Sequence, residues 1–384
     1  MEMNLVIESW AHQGVPSQEA SQNLPSAASP MPEQLSPNRL RRRLLELAAV
    51  VVVVGVFILT APGLDTLRSE LSKASPGWLI AGVGLELLSA LSYVVIFRAV
   101  FCPRMSWKRS YQIGMSEQGA NSVLSVSGAG GLALGAWALH RGGMSSEQIG
   151  RKSVAFFILT SLANVAGVII FAALYATGVI QHDQNAPLTY AFGLAALLVT
   201  LVVLGLPWRL AGKRVEASAP ANAGRLATVW WFTRHSVGEG VRDGVRLLRR
   251  RSPGVLIGSF GAMAFDLAVL GVCFLAFGYS PPLGVLVLGY LIGQLGGNIP
   301  IPGGIGGVDL GLIGTFTLYH QPLAVTTAAV LVYHAISLWV PALLGSAAFV
   351  QLRRILQREA QPAAMCAPLA EPIEAISLLA VSPS

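Results

Sequence analysis

The feature that most constrains this chain is the stretch Gly296-Gly297-Asn298-Ile299-Pro300-Ile301-Pro302-Gly303-Gly304-Ile305-Gly306-Gly307-Val308-Asp309. Apolar runs flank it at 283–295 and 310–318. Pro removes backbone donors and Gly accepts positive φ, so a regular helix cannot run through it. Between apolar flanks, the stretch reads as a break at membrane depth. Lipid tolerates such a break only where protein or water covers the freed backbone groups. Broken segments in pairs point to a transporter binding site. The plainer alternative is a tight turn outside the membrane, joining two spans.

Composition supports a life in lipid. The 384 residues are 53% hydrophobic and 12% charged, with mean hydropathy +0.61; soluble domains carry about 25% charged residues. The 41 glycines suit helices that pack closely in a bilayer. Cys102, Cys273 and Cys366 are far apart, without metal spacing, and read as free thiols. The polar segment 1–38 reads as a disordered tail without a secretory signal.

The Lys/Arg distribution orients the chain. Arg39 and Arg41 to Arg43 precede an apolar run at 44–61 and hold its start in the cytoplasm. Further spans are expected at 76–101, 154–178, 188–206, 253–277 and 324–350. Segment 207–253 holds ten Lys or Arg against Glu216, Glu239 and Asp243, a net +7 equal to the whole formal charge. It is therefore a cytoplasmic loop. Leu226, Trp230, Thr233, Val237, Val241, Val245 and Leu248 recur in it at helical spacing. That pattern predicts an amphipathic helix on anionic inner-leaflet lipid. A nucleic-acid partner is not expected, because the segment is tethered at a membrane. Both termini fall on the cytoplasmic side, and the tail 355–384 is expected to be disordered.

A second break follows Tyr111–Val126 in sequence, at Ser127-Gly128-Ala129-Gly130-Gly131, with basic residues at both ends of the segment pair. Neither half is long enough to span. A hairpin re-entering from the cytoplasm fits, and the 283–318 pair should re-enter from outside.

An internal repeat ties the two breaks together. Ser75-Pro76-Gly77 matches Ser252-Pro253-Gly254 at an offset of 177, which also carries Gly84 to Gly261 and Asn121 to Asn298. The Gly128–Gly131 cluster matches Gly304–Gly307 one residue out of register. Three crossings separate the two starts, so the second unit runs the opposite way. The units span about 75–178 and 252–350 within a membrane domain at 39–354. The fold expected is an all-α polytopic membrane protein: about six full transmembrane helices plus two re-entrant hairpins in an inverted repeat, with the substrate site between the repeats.

The free N–H groups of a helix N-terminus attract anions. Candidate headgroup contacts are therefore Asn121, Gly128, Gly130 and Gly131 in the first break. In the second they are Asn298, Pro300, Pro302, Gly303, Gly304, Gly306, Gly307 and Asp309. Ionisable residues at membrane depth are costly and stand as functional candidates: Glu86, Glu117, Asp266 and His334. Each also has a plainer reading. Asp309 suits a first helical turn, Glu86 and Asp266 can hydrogen-bond across the bundle, and His334 can be a satisfied polar contact. No nucleophile triad, P-loop, dinucleotide fingerprint or metal cluster is visible, so neither an enzyme nor a cofactor is expected.

Gly297-Asn298 through Pro302-Gly303-Gly304-Ile305-Gly306-Gly307-Val308-Asp309, then Leu331-Val332-Tyr333-His334, Trp339-Val340-Pro341 and Gly345 resemble the lysylphosphatidylglycerol synthase transmembrane-region family. The resemblance covers roughly 44–354. It implies a flippase-like protein that moves a polar-headed lipid, such as an aminoacylated phospholipid. Asp309 stands where that family usually has Glu, and His334 where Arg is common. Ser127 replaces an expected Pro, and Leu132 and Gly135 replace charged residues. The headgroup is therefore left open. About 30 residues follow Arg354, so the family's soluble aminoacyltransferase activity is not implied. Two other classes remain: a non-catalytic membrane partner of a glycosyltransferase or lipid-modifying enzyme, and an integral-membrane transferase.

Overall fold

The computed structural model describes residues 37–123, 129–177, 225–296 and 307–358. The expected span at 188–206, the central residues of both breaks and most of the two expected tails lie outside the described residues; residues 37–38 and 355–358, expected in the disordered tails, are instead helical, continuing the helices beside them.

Eleven helices and no strand occur among the described residues. They are α1 (Pro37–Thr60), α2 (Asp65–Ser72), α3 (Pro76–Phe101), α4 (Trp107–Val123), α5 (Ala129–Arg141), α6 (Ser146–Ala176), α7 (Arg225–Arg249), α8 (Pro253–Ala276), α9 (Leu283–Gly296), α10 (Gly307–Leu318) and α11 (Leu323–Arg358). Four of them are long and apolar enough to cross a membrane: α3, α6, α8 and α11. Helix α1 covers the first expected span and exposes Val52, Val53, Phe57 and Leu59. Exposed Ile80, Phe157, Ile257 and Leu310 are likewise placed to meet lipid chains.

The two short pairs flank the breaks. Helices α4 and α5 have 17 and 13 residues, and α9 and α10 have 14 and 12. At 1.5 Å per residue none reaches the ~30 Å of the hydrocarbon core. Each pair closes on itself through glycine. A Cβ on Gly293 would stand 2.6 Å from Leu312 Cδ2, and one on Gly289 would stand 2.8 Å from Phe316 Cζ.

The helix starts carry the sequence repeat into three dimensions. Pro76, Trp107, Ala129 and Ser146 open α3 to α6; Pro253, Leu283, Gly307 and Leu323 open α8 to α11. Every start recurs within a residue of the 177 offset. Ser75 and Ser252 occupy the N-cap positions with Pro at the first turn, but neither side chain caps its helix. The Ser75 N–H instead donates to Ala276 O at 2.8 Å.

That bond begins an antiparallel seam between α3 and α8, the first helices of the two units. Ser89 Oγ donates to Ala262 O at 3.2 Å. A Cβ on Gly258 would lie 2.6 Å from Ile96 N, and one on Gly254 would lie 3.1 Å from Ala99 Cβ. Residue numbers rise along one helix as they fall along the other, so the helices run in opposite directions. Close backbone approach of this kind is how helices associate where lipid removes the hydrophobic drive.

Helix α7 realises the amphipathic segment. Its C-terminal half packs against the start of α6: Val241 is buried, and a Cβ on Gly240 would stand 2.6 Å from Val154 Cβ. Arg151 pairs with Asp243 at 2.8 Å across that contact. Arg249, Arg250 and Arg251 remain exposed. Cys273 is a buried free thiol, whereas Cys102 is disulfide-bonded. The free-thiol expectation is corrected at Cys102, because spacing along a chain does not report long-range pairing.

Candidate functional site

Three polar constellations lie among the membrane-spanning helices. The first sits where the second break turns into α10. Gly307 opens the helix, and Asp309 lies in its first turn. From α11, His334 reaches across so that its Nδ1 stands 2.9 Å from Asp309 Oδ1, each side chain keeping 15% of its surface exposed. The dipole reading of Asp309 and the polar-contact reading of His334 thus merge into one pair beside the break. His334 Nε2 has no hydrogen-bond partner among the described residues.

The second constellation is centred on Asp266 in the middle of α8. Tyr290 on α9 donates to Asp266 Oδ2 at 2.8 Å. Tyr333 on α11 donates to the same carboxylate at 3.1 Å, and Gln294 Nε2 donates at 3.2 Å. Tyr290 and Gln294 are four residues apart, hence on one face of α9. Gln294 also donates to the Tyr333 hydroxyl at 3.4 Å. One carboxylate therefore fastens the first hairpin limb and the last span of its unit to α8. Glu86 on α3 is buried and close enough to interact electrostatically with Asp266, Tyr290 and Tyr333.

The third constellation is in the other unit. Glu117, buried on α4, accepts a hydrogen bond from Tyr93 on α3. Its Oε2 occupies the space that a Cβ on Gly135 of α5 would need. Gly135 is thus where Glu117 fits. Asn121 is one turn further on, and its Oδ1 accepts the Gly131 N–H at 2.9 Å. It caps the N-terminus of α5 from the opposite limb. Gly131 is pressed against Asn121 and the Glu117 carbonyl, leaving no room for a side chain.

The structure thus brings Asp309 to His334, Glu86 to Asp266, and Asn121 to Gly131. Gly130 lies in the first turn of α5 beside Gly131. Gly128, Asn298, Pro300, Pro302, Gly303, Gly304 and Gly306 lie outside the described residues. Tyr93, Tyr290, Gln294 and Tyr333 were not among the site candidates read from the sequence, because uncharged side chains in apolar helices do not announce themselves. One signal was present: the offset of 177 that pairs the two breaks also pairs Glu117 with Gln294. Among the described residues, no group of three or more His, Cys, Asp or Glu could hold a metal ion.

A family described as the lysylphosphatidylglycerol synthase TM region matches residues 44–345, well over half of the chain. No curated protein and no solved structure matches it.

Proposed function

The chain belongs to the lysylphosphatidylglycerol synthase transmembrane-region family, and from that premise we propose that this multi-pass membrane protein is a translocator of a polar-headed lipid. The observation that carries the reading is the recurrence of one four-helix unit, span, short pair, span, with its two copies joined along an antiparallel seam. Such a pair of units is an inverted repeat, and its two broken hairpins re-enter the bilayer from opposite faces. The helix N-termini at Ala129 and Gly307 then point toward a shared site, where N–H groups and Asp309–His334 receive an anionic or zwitterionic headgroup. The acyl chains stay in lipid outside the bundle. The exposed arginines of α7 rest on anionic lipid of the cytoplasmic leaflet, which fixes the orientation.

Translocation of fluorescent lipid in proteoliposomes tests this reading. The purified chain should move polar-headed lipid between leaflets. Gly130→Leu should stop it while the protein still inserts and melts at the wild-type temperature. Asp309→Asn should reduce transport by about 10- to 150-fold, the cost of one charge-assisted hydrogen bond of roughly 1.5–3 kcal/mol. Empty-liposome rates with the wild-type chain would end the translocator reading.

Orientation is tested separately. With the native cysteines replaced, single cysteines at Asp65, Asp183 and Trp230 are treated in intact cells with an impermeant maleimide. Labelling is expected at 65 and 183 and not at 230. The reverse pattern would turn the chain over in the membrane.

A further inference from the structure

Glu86 is an intramembrane carboxylate to which the proposed headgroup site gives no role. It sits near the middle of α3, beside Asp266 near the middle of α8. The seam fixes this placement. Ser75 meets Ala276 at one end, Gly254 meets Ala99 at the other, and Ser89 meets Ala262 close to the centre. The two acids therefore face each other where both spans are half-way through the bilayer. Asp266 takes hydrogen bonds from Tyr290, Tyr333 and Gln294. Glu86 does not share this supply. It is 3% exposed, and its Oε2 has no hydrogen-bond partner among the described residues.

A buried carboxylate oxygen without a donor is expensive in a medium that solvates no charge. A second carboxylate beside it raises that cost, because like charges in a low dielectric repel strongly. The other titratable groups near the pair offer no positive charge. They are Cys273 on α8, Tyr290 on α9 and Tyr333 on α11. No Lys or Arg occurs in α8, α9 or α10, and the Arg98 of α3 is turned to Met105 O at the helix end. Asp266 itself is half-buried.

We propose that Glu86 and Asp266 form a site for one exchangeable monovalent cation, a proton or a sodium ion, held between α3 and α8. The cation supplies what Glu86 lacks and neutralises one of two facing charges. Because the pair lies on the seam between the two units, the cation stabilises the arrangement in which the carboxylates are close. Releasing it favours their separation, and with it a rocking of one unit against the other. The binding site rests on these residues alone; its use in driving transport rests on the translocator reading.

The test uses the full purified chain in detergent, without any transport assay. Dicyclohexylcarbodiimide modifies protonated carboxyl groups in apolar surroundings, and mass spectrometry locates the adduct. Modification at Glu86 or Asp266 is expected. If the cation is sodium, labelling slows about 10-fold at a sodium concentration ten times the dissociation constant, and the melting temperature rises with sodium at constant ionic strength. If it is a proton, sodium does nothing and labelling falls as pH is raised. Glu86→Gln supplies its own donor, so it should fold and lose both dependences. A wild-type protein with neither adduct nor sodium-dependent melting would overturn the site. So would a folded Glu86→Gln variant that keeps the wild-type dependence. Failure of lipid transport with an intact cation response would instead count against the function proposed above.

Discussion

Replacing Gly345 with Leu is expected to abolish the folded protein, while Gly314→Leu leaves it intact. Gly345 lies on α11, where a Cβ would stand 2.5 Å from Gly119 Cα of α4 and also press on the Met115 carbonyl. The reciprocal Cβ on Gly119 would stand 2.7 Å from Gly345 Cα. Both obstacles are backbone, so no rotamer change relieves them. Overpacking costs about 1–3 kcal/mol when side chains can adjust. Here the helices themselves must part, and the cost exceeds that range. The contact also joins different units, since α4 belongs to the first hairpin and α11 closes the second unit. Parting them takes the buried Ile113 and Met115 and the Gln112–Gln351 contact as well. Gly314 is exposed on α10 with nothing within 4 Å of an added Cβ, and surface changes of this kind stay within about 0.5 kcal/mol. Size-exclusion profiles and melting temperatures in mild detergent compare the two variants. A monodisperse Gly345→Leu protein with wild-type melting would show that the α4–α11 contact does not hold the units together.

The second large effect is expected at Asp266. Asp266→Ala leaves Tyr290, Tyr333 and Gln294 without the acceptor that all three use. Single hydrogen bonds between helices in a membrane contribute on average about 0.6 kcal/mol and at most about 1.7. Losing the hub of three should therefore cost about 2–4 kcal/mol, with a matching fall in unfolding free energy. Tyr290→Phe removes one donor and leaves the carboxylate two others, so it should cost about 1 kcal/mol or less. Reversible unfolding in mixed detergent gives both values. Equal destabilisation by the two variants would mean that the three donors do not act through Asp266. The Ala variant should also loosen α9 from α8, since Tyr290 and Gln294 are the polar ties between them. Faster proteolysis at the 297–306 break than in wild type would report that loosening.

The sequence by itself determined that the chain is all-helical and apolar enough for a membrane, and where several of its helices begin. Helix starts at Pro76, Pro253, Leu283 and Leu323 fall within a residue of the expected ones, because Ser-Pro at a helix start and long apolar runs are local signals. The offset of 177 was equally legible, since a repeated unit repeats its punctuation. So was the candidacy of Glu86, Glu117, Asp266 and His334, because a charge at membrane depth has few innocent reasons. The partners were not legible. That Asp309 meets His334, that Asp266 gathers two tyrosines and a glutamine, and that Asn121 caps α5 depend on contacts between segments far apart in the chain. Glycines show the limit most clearly. Gly131 and Gly135 read as openings for a headgroup or as departures from a pattern, and the structure fills them with Asn121 and Glu117. A glycine says only that a side chain is excluded; what excludes it is a neighbouring helix or a ligand, and helix packing alone decides between them.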